Sequence, residues 1–90
     1  TAILINTSRG AVIDESALTE ALTKHKIFGA GLDVFEHEPT IPENLKKLDN
    51  VVLSPHNGTA TIEDRNAMSR FASQNILRFF EGNKNISRVN

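Results

Sequence analysis

The sequence predicts an α/β fold, the C-terminal part of a doubly wound parallel sheet within a larger protein. Three short apolar runs alternate with helical patterns along the chain. Each run is followed by a polar segment, at 6–10, 36–39 and 54–58. If the runs are parallel strands, their carboxyl ends lie along one edge of the sheet, where open α/β sheets bind ligands.

Composition narrows the class of protein. The 90 residues are enough for one small domain, and the formal net charge of −1 gives no reason to expect nucleic acid or an anionic membrane as partner. No apolar stretch approaches the roughly 20 residues of a membrane span. The chain has no cysteine, which excludes disulfides, thiolate metal sites and a cysteine nucleophile.

The first strand and helix follow from the opening residues. The run at 2–5 is wholly apolar, as in a strand buried inside a parallel sheet, and it predicts that preceding residues belong to the same domain. Asp14 is a plausible N-cap, with Glu15 in the first turn favouring the helix dipole. Apolar residues then recur at helical spacing, so a helix is expected over 15–24.

The second and third strands are predicted from two further runs. The apolar run at 27–34 contains Gly29 and Gly31, which lower its strand propensity but permit close backbone approach. Pro39 and Pro42 make the next segment a loop, and two leucines near 45–48 suggest one helical turn. The run at 51–53 then reads as a third short strand.

The longest element is a helix predicted over 62–81. Thr61 with Asp64 resembles a capping box, and Gly82 is a suitable residue just past the helix end. Its apolar stripe predicts packing in the core or against another domain. The predicted organisation is therefore a partial domain over 1–82 and a polar C-terminal tail over 83–90, with Ile86 and Val89 as possible anchors.

Three residues at the predicted sheet edge could carry chemistry. Arg9 can grip a carboxylate through two parallel hydrogen bonds, and His56 can exchange a proton near neutral pH. Glu36 and Glu38 compete as the carboxylate that orients the histidine. Taken singly, each is more often a solvated surface residue, whereas His25 and His37 are assigned to the surface.

Other features of the chain are less specific. Asp33 lies inside the second apolar run, where a carboxylate needs a partner; it is either a buried structural acceptor or a ligand contact. Three histidines without helical pairing support no metal site. The Gly-Ala-Gly segment at 29–31 is no dinucleotide fingerprint, because no helix opens after it.

Three blocks in order resemble the D-isomer-specific 2-hydroxyacid dehydrogenases. The Asn-Thr-Ser-Arg-Gly segment at 6–10, continued by 12–22, resembles the family's stretch around its substrate arginine. The segment 29–36 followed by Glu38 and Pro39 resembles the next block. The segment 50–56, followed by Gly58, resembles the block with the catalytic histidine. The resemblance implies a Rossmann-like fold within a two-domain protein.

The resemblance also implies a role for each matched residue. Arg9 would bind the carboxylate and carbonyl of a 2-oxo acid, and His56 would protonate the carbonyl oxygen. Glu38 would pair with His56 and keep it protonated. Asp33 would hydrogen-bond the nicotinamide carboxamide. The cofactor-binding residues implied are Ser8, Arg9, Asp33, His56 and Gly58.

The function implied is reduction of a small 2-oxo acid, such as glyoxylate or hydroxypyruvate, to the D-2-hydroxy acid. The cofactor would be NAD or NADP, and the residues lean towards the glyoxylate/hydroxypyruvate reductases. A homodimer is implied, as is a cytoplasmic location, although an organelle matrix is compatible. Formate dehydrogenases typically have glutamine where Glu38 stands, which disfavours that branch.

Some residues depart from the family pattern. His25 stands where glycine is usual, and a left-handed helix stop there would cost histidine roughly 1 kcal/mol. Asn57 replaces an apolar residue that is common beside the catalytic histidine. The glycine-rich phosphate loop is absent from these 90 residues. Two alternatives therefore stand beside the enzyme: a nucleotide-sensing binding protein of the same fold, and an inactive fragment.

Overall fold

A three-stranded parallel sheet lies at the centre of the fold. The computed structural model describes residues 1–88. The strands are β1 (Ile3–Asn6), β2 (Gly29–Leu32) and β3 (Val51–Leu53), in the order β1-β2-β3. Both neighbouring pairs are parallel, which confirms the predicted α/β class and the shared edge of strand ends.

Helical segments connect and follow the strands. A 3-10 turn spans Gly10–Val12, and the helices are α1 (Glu15–Thr23), α2 (Glu43–Lys46) and α3 (Ile62–Phe80). The chain divides into two compact units, the first Thr1–Gly58 and the second beginning at Thr59. The sheet, α1 and α2 all belong to the first unit, and α3 belongs to the second.

The second strand is shorter than its apolar run. The run over 27–34 predicts a longer extended segment, yet β2 contains only four residues. β2 pairs with β1 from Ile3↔Gly29 to Asn6↔Leu32. Beyond these pairs, single backbone bonds join the flanking residues, from the Phe28 N–H to the Ala2 carbonyl and from the Asp33 N–H to the Asn6 carbonyl. β1 itself extends one residue beyond its apolar run and ends on the polar Asn6.

Both ends of α1 are held by local hydrogen bonds. The Asp14 carboxylate accepts from the backbone N–H of Ala17 at 2.9 Å, as the N-cap prediction requires. At the other end His25 has φ 49, and the N–H of Lys26 reaches the Ala21 carbonyl at 2.8 Å. This is the left-handed helix stop expected from the sequence, made without glycine.

The core lies between α1 and one face of the sheet. Leu22 of α1 and Leu45 of α2 are fully buried. They form one hydrophobic cluster with apolar residues of the sheet and of α1. The buried members are Leu18, Leu22, Ala30, Leu32, Phe35 and Leu45. Burying each large side chain here contributes about 1.5–3 kcal/mol, and this fixes the strand ends relative to α1.

The opposite face of the sheet is apolar and open. Ile3, Ile5 and Val52 are 60%, 66% and 73% exposed. Gly31 lies between Ile5 and Val52 in the register, and a Cβ there would meet the Ile5 side chain at 2.9 Å. The two faces of the sheet therefore differ sharply in burial within the described chain.

α3 begins at the predicted residue, ends one residue earlier than predicted, at Phe80, and lacks core packing, one of the two alternatives for its apolar stripe. Thr61 Oγ1 accepts from the Asp64 N–H at 3.0 Å, and Gly82 has φ 73 just past the helix end. No residue of α3 is buried, because residues 59–88 of the second unit contain no other helix or strand against which it could pack. Packing against another domain stays a prediction.

Within residues 1–88, no helix is both long and apolar enough to cross a membrane. Of the predicted tail at 83–90, Val89 lies outside the described residues.

Candidate active site

A buried asparagine folds the turn after β1. Asn6 is 5% exposed, and its Oδ1 accepts from both the backbone N–H and the hydroxyl of Ser8, at 3.1 and 2.9 Å. Its Nδ2 donates to the carbonyl of Arg9 at 3.0 Å. Three hydrogen bonds from one side chain therefore set the path of the turn that carries Arg9.

Arg9 projects from this turn, and within residues 1–88 its side chain makes a single hydrogen bond. It is exposed, its backbone is extended, and its Nη1 donates to the Ser8 carbonyl at 2.6 Å. A guanidinium has five N–H donors in a fixed fork, so one internal bond leaves enough for a bidentate anion contact.

The turn after β1 is packed directly against the loop after β2. A Cβ placed on Gly10 would lie 2.0 Å from the carbonyl carbon of Phe35 and 2.4 Å from the nitrogen of Glu36. The same loop is held from α1, where the Glu15 carboxylate accepts from the N–H of Glu36 at 2.8 Å. The Arg9 turn and the loop that contains Glu38 are consequently fixed relative to each other.

Glu38 and His56 meet at the strand ends. Oε2 of Glu38 lies 2.7 Å from Nδ1 of His56, although the two residues are 18 positions apart. Oε1 of the same carboxylate accepts from the backbone N–H of Phe35 at 3.0 Å. Of the two competing glutamates, Glu38 therefore makes the histidine contact, whereas Glu36 is exposed and supplies only its backbone N–H.

The charge state of Glu38 follows from these partners. Its hydrogen bond with His56, then that with the Phe35 N–H, lowers the pKa of Glu38 below its ordinary value of 4.5. The positive charge of Arg9 acts in the same direction with a smaller effect. Glu38 is thus a carboxylate at neutral pH, and both His56 and Arg9 are close enough to favour its charged form.

His56 has an uncommon backbone conformation. Its φ is 53, in the left-handed region, and its N–H reaches back to the Ser54 carbonyl at 3.1 Å. A non-glycine residue in this region is strained, and such residues cluster at functional sites. The side chain is 46% exposed, which leaves the ring open to a small molecule.

Asp33 holds the loop on which His56 lies. Its Oδ1 accepts from the Ser54 hydroxyl at 2.6 Å and from the Asn57 N–H at 3.0 Å, while Oδ2 accepts from the Gly58 N–H at 2.9 Å. The Ser54 bond, followed by the Asn57 bond, lowers the pKa of Asp33 below 3.8. The structural acceptor role considered for Asp33 is confirmed; the ligand contact stays a prediction.

A small cleft adjoins the histidine pair. It has a volume of about 130 Å³ and is lined by Glu38 and His56 together with apolar neighbours, namely Phe35, Pro39, Ile41 and Pro55. A larger cleft of about 780 Å³ lies against the open sheet face, but it contains none of the candidate residues. Of the candidate residues, Glu38 and His56 therefore lie at the smaller cleft.

The candidate residues all lie just past the strand ends, as the sequence predicted. Glu38 and His56 touch, Asp33 contacts Gly58, and Ser8 is tied into the Arg9 turn through Asn6. Sequence reasoning missed Asn6, Glu15 and Ser54 as residues that hold the site. Polar residues within or just after apolar runs were the available signal. Among residues 1–88, no three His, Cys, Asp or Glu side chains are grouped to hold a metal ion.

Comparison with known proteins identifies a family for the first compact unit. A family model for the D-isomer specific 2-hydroxyacid dehydrogenase, NAD binding domain, matches residues 1–58. The glyoxylate reductase of Thermococcus litoralis is 57% identical over 81 residues, covering 90% of this chain and 24% of the relative. That of Pyrococcus furiosus is 54% identical over 82 residues, covering 91% and 24%. The chain thus spans about a quarter of the length of these relatives.

Solved structures give the same result for the fold. The NADPH-dependent glyoxylate/hydroxypyruvate reductase of Sinorhizobium meliloti, in complex with NADP and malonate, is 48% identical with a TM-score of 0.81. The alignment covers 88% of this chain and 25% of that protein. Holo D-mandelate dehydrogenase of Rhodotorula graminis is 40% identical with a TM-score of 0.78, over 87% and 23% of the two chains.

Proposed function

Since the chain belongs to the D-isomer-specific 2-hydroxyacid dehydrogenase family, we propose that the full-length protein containing it reduces a small 2-oxo acid to the D-2-hydroxy acid. Glyoxylate and hydroxypyruvate are the first substrates to test, because relatives more than half identical are named glyoxylate reductases. The observation that carries the proposal is the 2.7 Å contact between Glu38 and His56, together with an exposed Arg9 whose charge lowers the pKa of Glu38.

Arg9 is proposed to bind the acid end of the substrate. Its carbonyl is fixed by Asn6, and its guanidinium makes one internal bond to the Ser8 carbonyl. The remaining donors suit a planar carboxylate with an adjacent carbonyl oxygen, because two parallel N–H···O bonds orient as well as bind. The Sinorhizobium relative was solved in complex with malonate, which carries two carboxylates.

His56 is proposed to transfer the proton. Its Nδ1 is bonded to Glu38, so Nε2 is the ring nitrogen left to face a ligand. In the reduction, Nε2–H of the imidazolium would donate its proton to the substrate oxygen as the carbonyl carbon accepts a hydride. The neutral ring would then regain a proton from water, to which its exposed side chain has access.

Glu38 is proposed to hold the imidazole and stabilise its charged form. Its low pKa keeps it ionised, with the His56 bond as the largest cause. The bond from the Phe35 N–H fixes the second carboxylate oxygen, so the carboxylate cannot rotate away from the ring without losing that bond. A carboxylate in hydrogen-bond contact with an imidazole stabilises a positive charge on the ring.

The residues present suit the nicotinamide end of NAD or NADP. A carboxylate has roughly four acceptor positions, and Asp33 uses three, which leaves one for a carboxamide N–H. Gly58 keeps this surface open, since a Cβ there would lie 3.0 Å from Asp33 Oδ2. Ser8, Arg9 and His56 would border the same ring. A bound dihydronicotinamide supplies the hydride.

The test is a pair of histidine substitutions in the full-length protein. His56→Ala is expected to lower turnover of glyoxylate and hydroxypyruvate with NADH or NADPH by about 10²–10⁴-fold. The control is His37→Ala, because His37 is also exposed and lies in the Glu38 loop. A loss below about threefold at His56 contradicts a proton-transfer role. Nucleotide-dependent assembly without turnover would favour the binding-protein alternative.

Assembly and location are proposed from the family alone. We expect a homodimer, to be measured by light scattering of the full-length protein, and a cytoplasmic location, to be measured by fractionation. A monomer at micromolar concentration would contradict the first expectation. Recovery in a membrane or secreted fraction would contradict the second.

A further inference from the structure

Glu15 is a buried carboxylate that the proposed chemistry does not use. Only 9% of the residue is exposed, although it lies in the first turn of α1. Its Oε2 accepts from the backbone N–H of Glu36 at 2.8 Å, across 21 residues of sequence. Burying a carboxylate is costly, so this contact needs a reason beyond the helix dipole.

The contact leads directly to the histidine pair. The N–H groups of Phe35 and Glu36 are consecutive, and each is bonded by a different carboxylate, Glu38 and Glu15 respectively. Glu38 then binds His56 with its other oxygen. Glu15 therefore holds the segment on which one of the two anchors of Glu38 depends.

α1 makes this anchor rigid. Asp14 caps the helix, and Leu18 and Leu22 bury it against the sheet, so the carboxylate of Glu15 is fixed by a packed element rather than by a loop. Gly10 lies close to the same segment, since a Cβ on it would be 2.0 Å from the Phe35 carbonyl carbon. The Phe35–Glu36 segment is thus in contact with both the turn that carries Arg9 and the first turn of α1.

We propose that Glu15 is a positioning residue for the proton-transfer pair: its bond to the Glu36 N–H keeps Glu38 aligned with His56. This inference rests on the proposed function. Glu15 touches neither substrate nor cofactor in this account. Its effect is transmitted through the loop, and it should alter proton transfer much more than binding of the 2-oxo acid.

The test compares Glu15→Ala with Glu15→Gln in the full-length enzyme. Alanine removes the acceptor, so kcat should fall roughly 10- to 100-fold while KM for the 2-oxo acid changes by less than about threefold. The dependence of kcat on pH should change in the same way as in Glu38→Gln. Glutamine retains an acceptor oxygen and should restore most of kcat.

Two further variants separate positioning from stability. Glu20→Ala, an exposed residue of the same helix paired with Lys24, is the matched control and should behave as the wild type. In the double variant Glu15→Ala/Glu38→Gln, the losses should be less than additive, because both act on one contact. Fully additive losses, or an unchanged pH profile in Glu15→Ala, would overturn the proposal.

Measuring His56→Ala in the same assays distinguishes a failure of the proposed function from a failure of the positioning role of Glu15. If His56→Ala keeps its activity, the proposed function fails, whatever Glu15 does. If His56→Ala loses activity and Glu15→Ala does not, the positioning role alone fails. Should Glu15→Ala not fold, Glu15→Gln and Glu15→Asp decide. Equal loss of kcat in both would mean that the side-chain acceptor offered to the Glu36 N–H is not what matters.

Discussion

The backbone N–H of Asp33 donates to the carbonyl oxygen of Asn6 at 3.0 Å, at the point where β1 and β2 end. Each of these residues uses its buried side chain to fold a different loop of the site, Asn6 the Arg9 turn and Asp33 the His56 loop. The anion-binding and proton-transfer groups are therefore positioned from two adjacent backbone sites of one sheet.

Replacing Glu38 by glutamine should change the pH dependence of reduction. The glutamine side chain is of the same size but lacks the negative charge that is paired with the ring of His56. The contact that lowers the pKa of Glu38 would lose its ionic partner in the variant, so kcat should fall and its dependence on pH should differ from that of the wild type. Steady-state kinetics over the pH range of the wild-type profile measures this difference.

The matched control for that experiment is Glu36→Gln. Glu36 is exposed and lies two residues away, so the same charge is removed without touching the histidine contact. Its pH profile should overlay that of the wild type. Equal shifts in both variants would indicate a general effect of net charge and would contradict the specific pairing.

Asp33 should make the protein sensitive to acid. Hydrogen bonds, first from Ser54 and then from Asn57, lower its pKa below 3.8 in the folded state. Its stabilising effect is therefore complete above the ordinary pKa and is lost as pH falls through the lowered value. Asp33→Asn should destabilise the protein most at neutral pH, and the difference from wild type should shrink in acid. Urea unfolding at a series of pH values measures it.

Ser54→Ala provides an independent check on Asp33. It removes the strongest of the hydrogen bonds that lower the pKa but leaves the carboxylate and the bonds from Asn57 and Gly58 in place. The loss in free energy of unfolding should depend on pH in the same way as in Asp33→Asn, but it should be smaller. A difference between either variant and the wild type that does not vary with pH would contradict the cause assigned here.

Glycine should be the better residue at position 25. His25 ends α1 with φ 49, a conformation that costs an L-residue about 1–2 kcal/mol. His25→Gly removes this strain but adds entropy to the unfolded chain, so we expect a net gain of roughly 0.5–1 kcal/mol in the free energy of unfolding. Thermal or urea unfolding measures the change.

The neighbouring residue supplies the control for position 25. Lys24 has φ −87, which any residue adopts, so Lys24→Gly should destabilise by about 0.5–1 kcal/mol. Opposite signs at positions 24 and 25 would support the left-handed strain. Destabilisation by glycine at both positions would contradict it.

The sequence predicted the order of elements because apolar runs and caps are local signals. Val51–Leu53 was located without error, and the ends of α3 followed from Thr61 and Gly82. The extent of β2 did not follow, because it depends on how many residues β1 and β3 offer for pairing. The length of a strand depends on its pairing with neighbouring strands, so the apolar run of one strand does not predict it.

The sequence predicted the candidate residues of the site but not the residues that hold them in place. Arg9, Glu38 and His56 follow from residue type and from their position after strands. The choice of Glu38 over Glu36 required the actual path of the loop, since both have the same chemistry. Glu15 was interpreted only as a favourable charge at a helix start, because a contact across 21 residues leaves no trace in local spacing.

The left-handed backbone of His56 limits which substitutions at this position can be interpreted. Most L-residues placed there would carry the conformational penalty as well as the loss of the imidazole, so a library randomised at position 56 would favour asparagine and glycine for reasons unrelated to catalysis. His56→Asn is therefore the cleaner probe of proton transfer, because asparagine tolerates the same backbone. At position 56, the effect of losing the imidazole can be separated from the effect of backbone strain only by comparing residues that tolerate the left-handed conformation, such as asparagine and glycine.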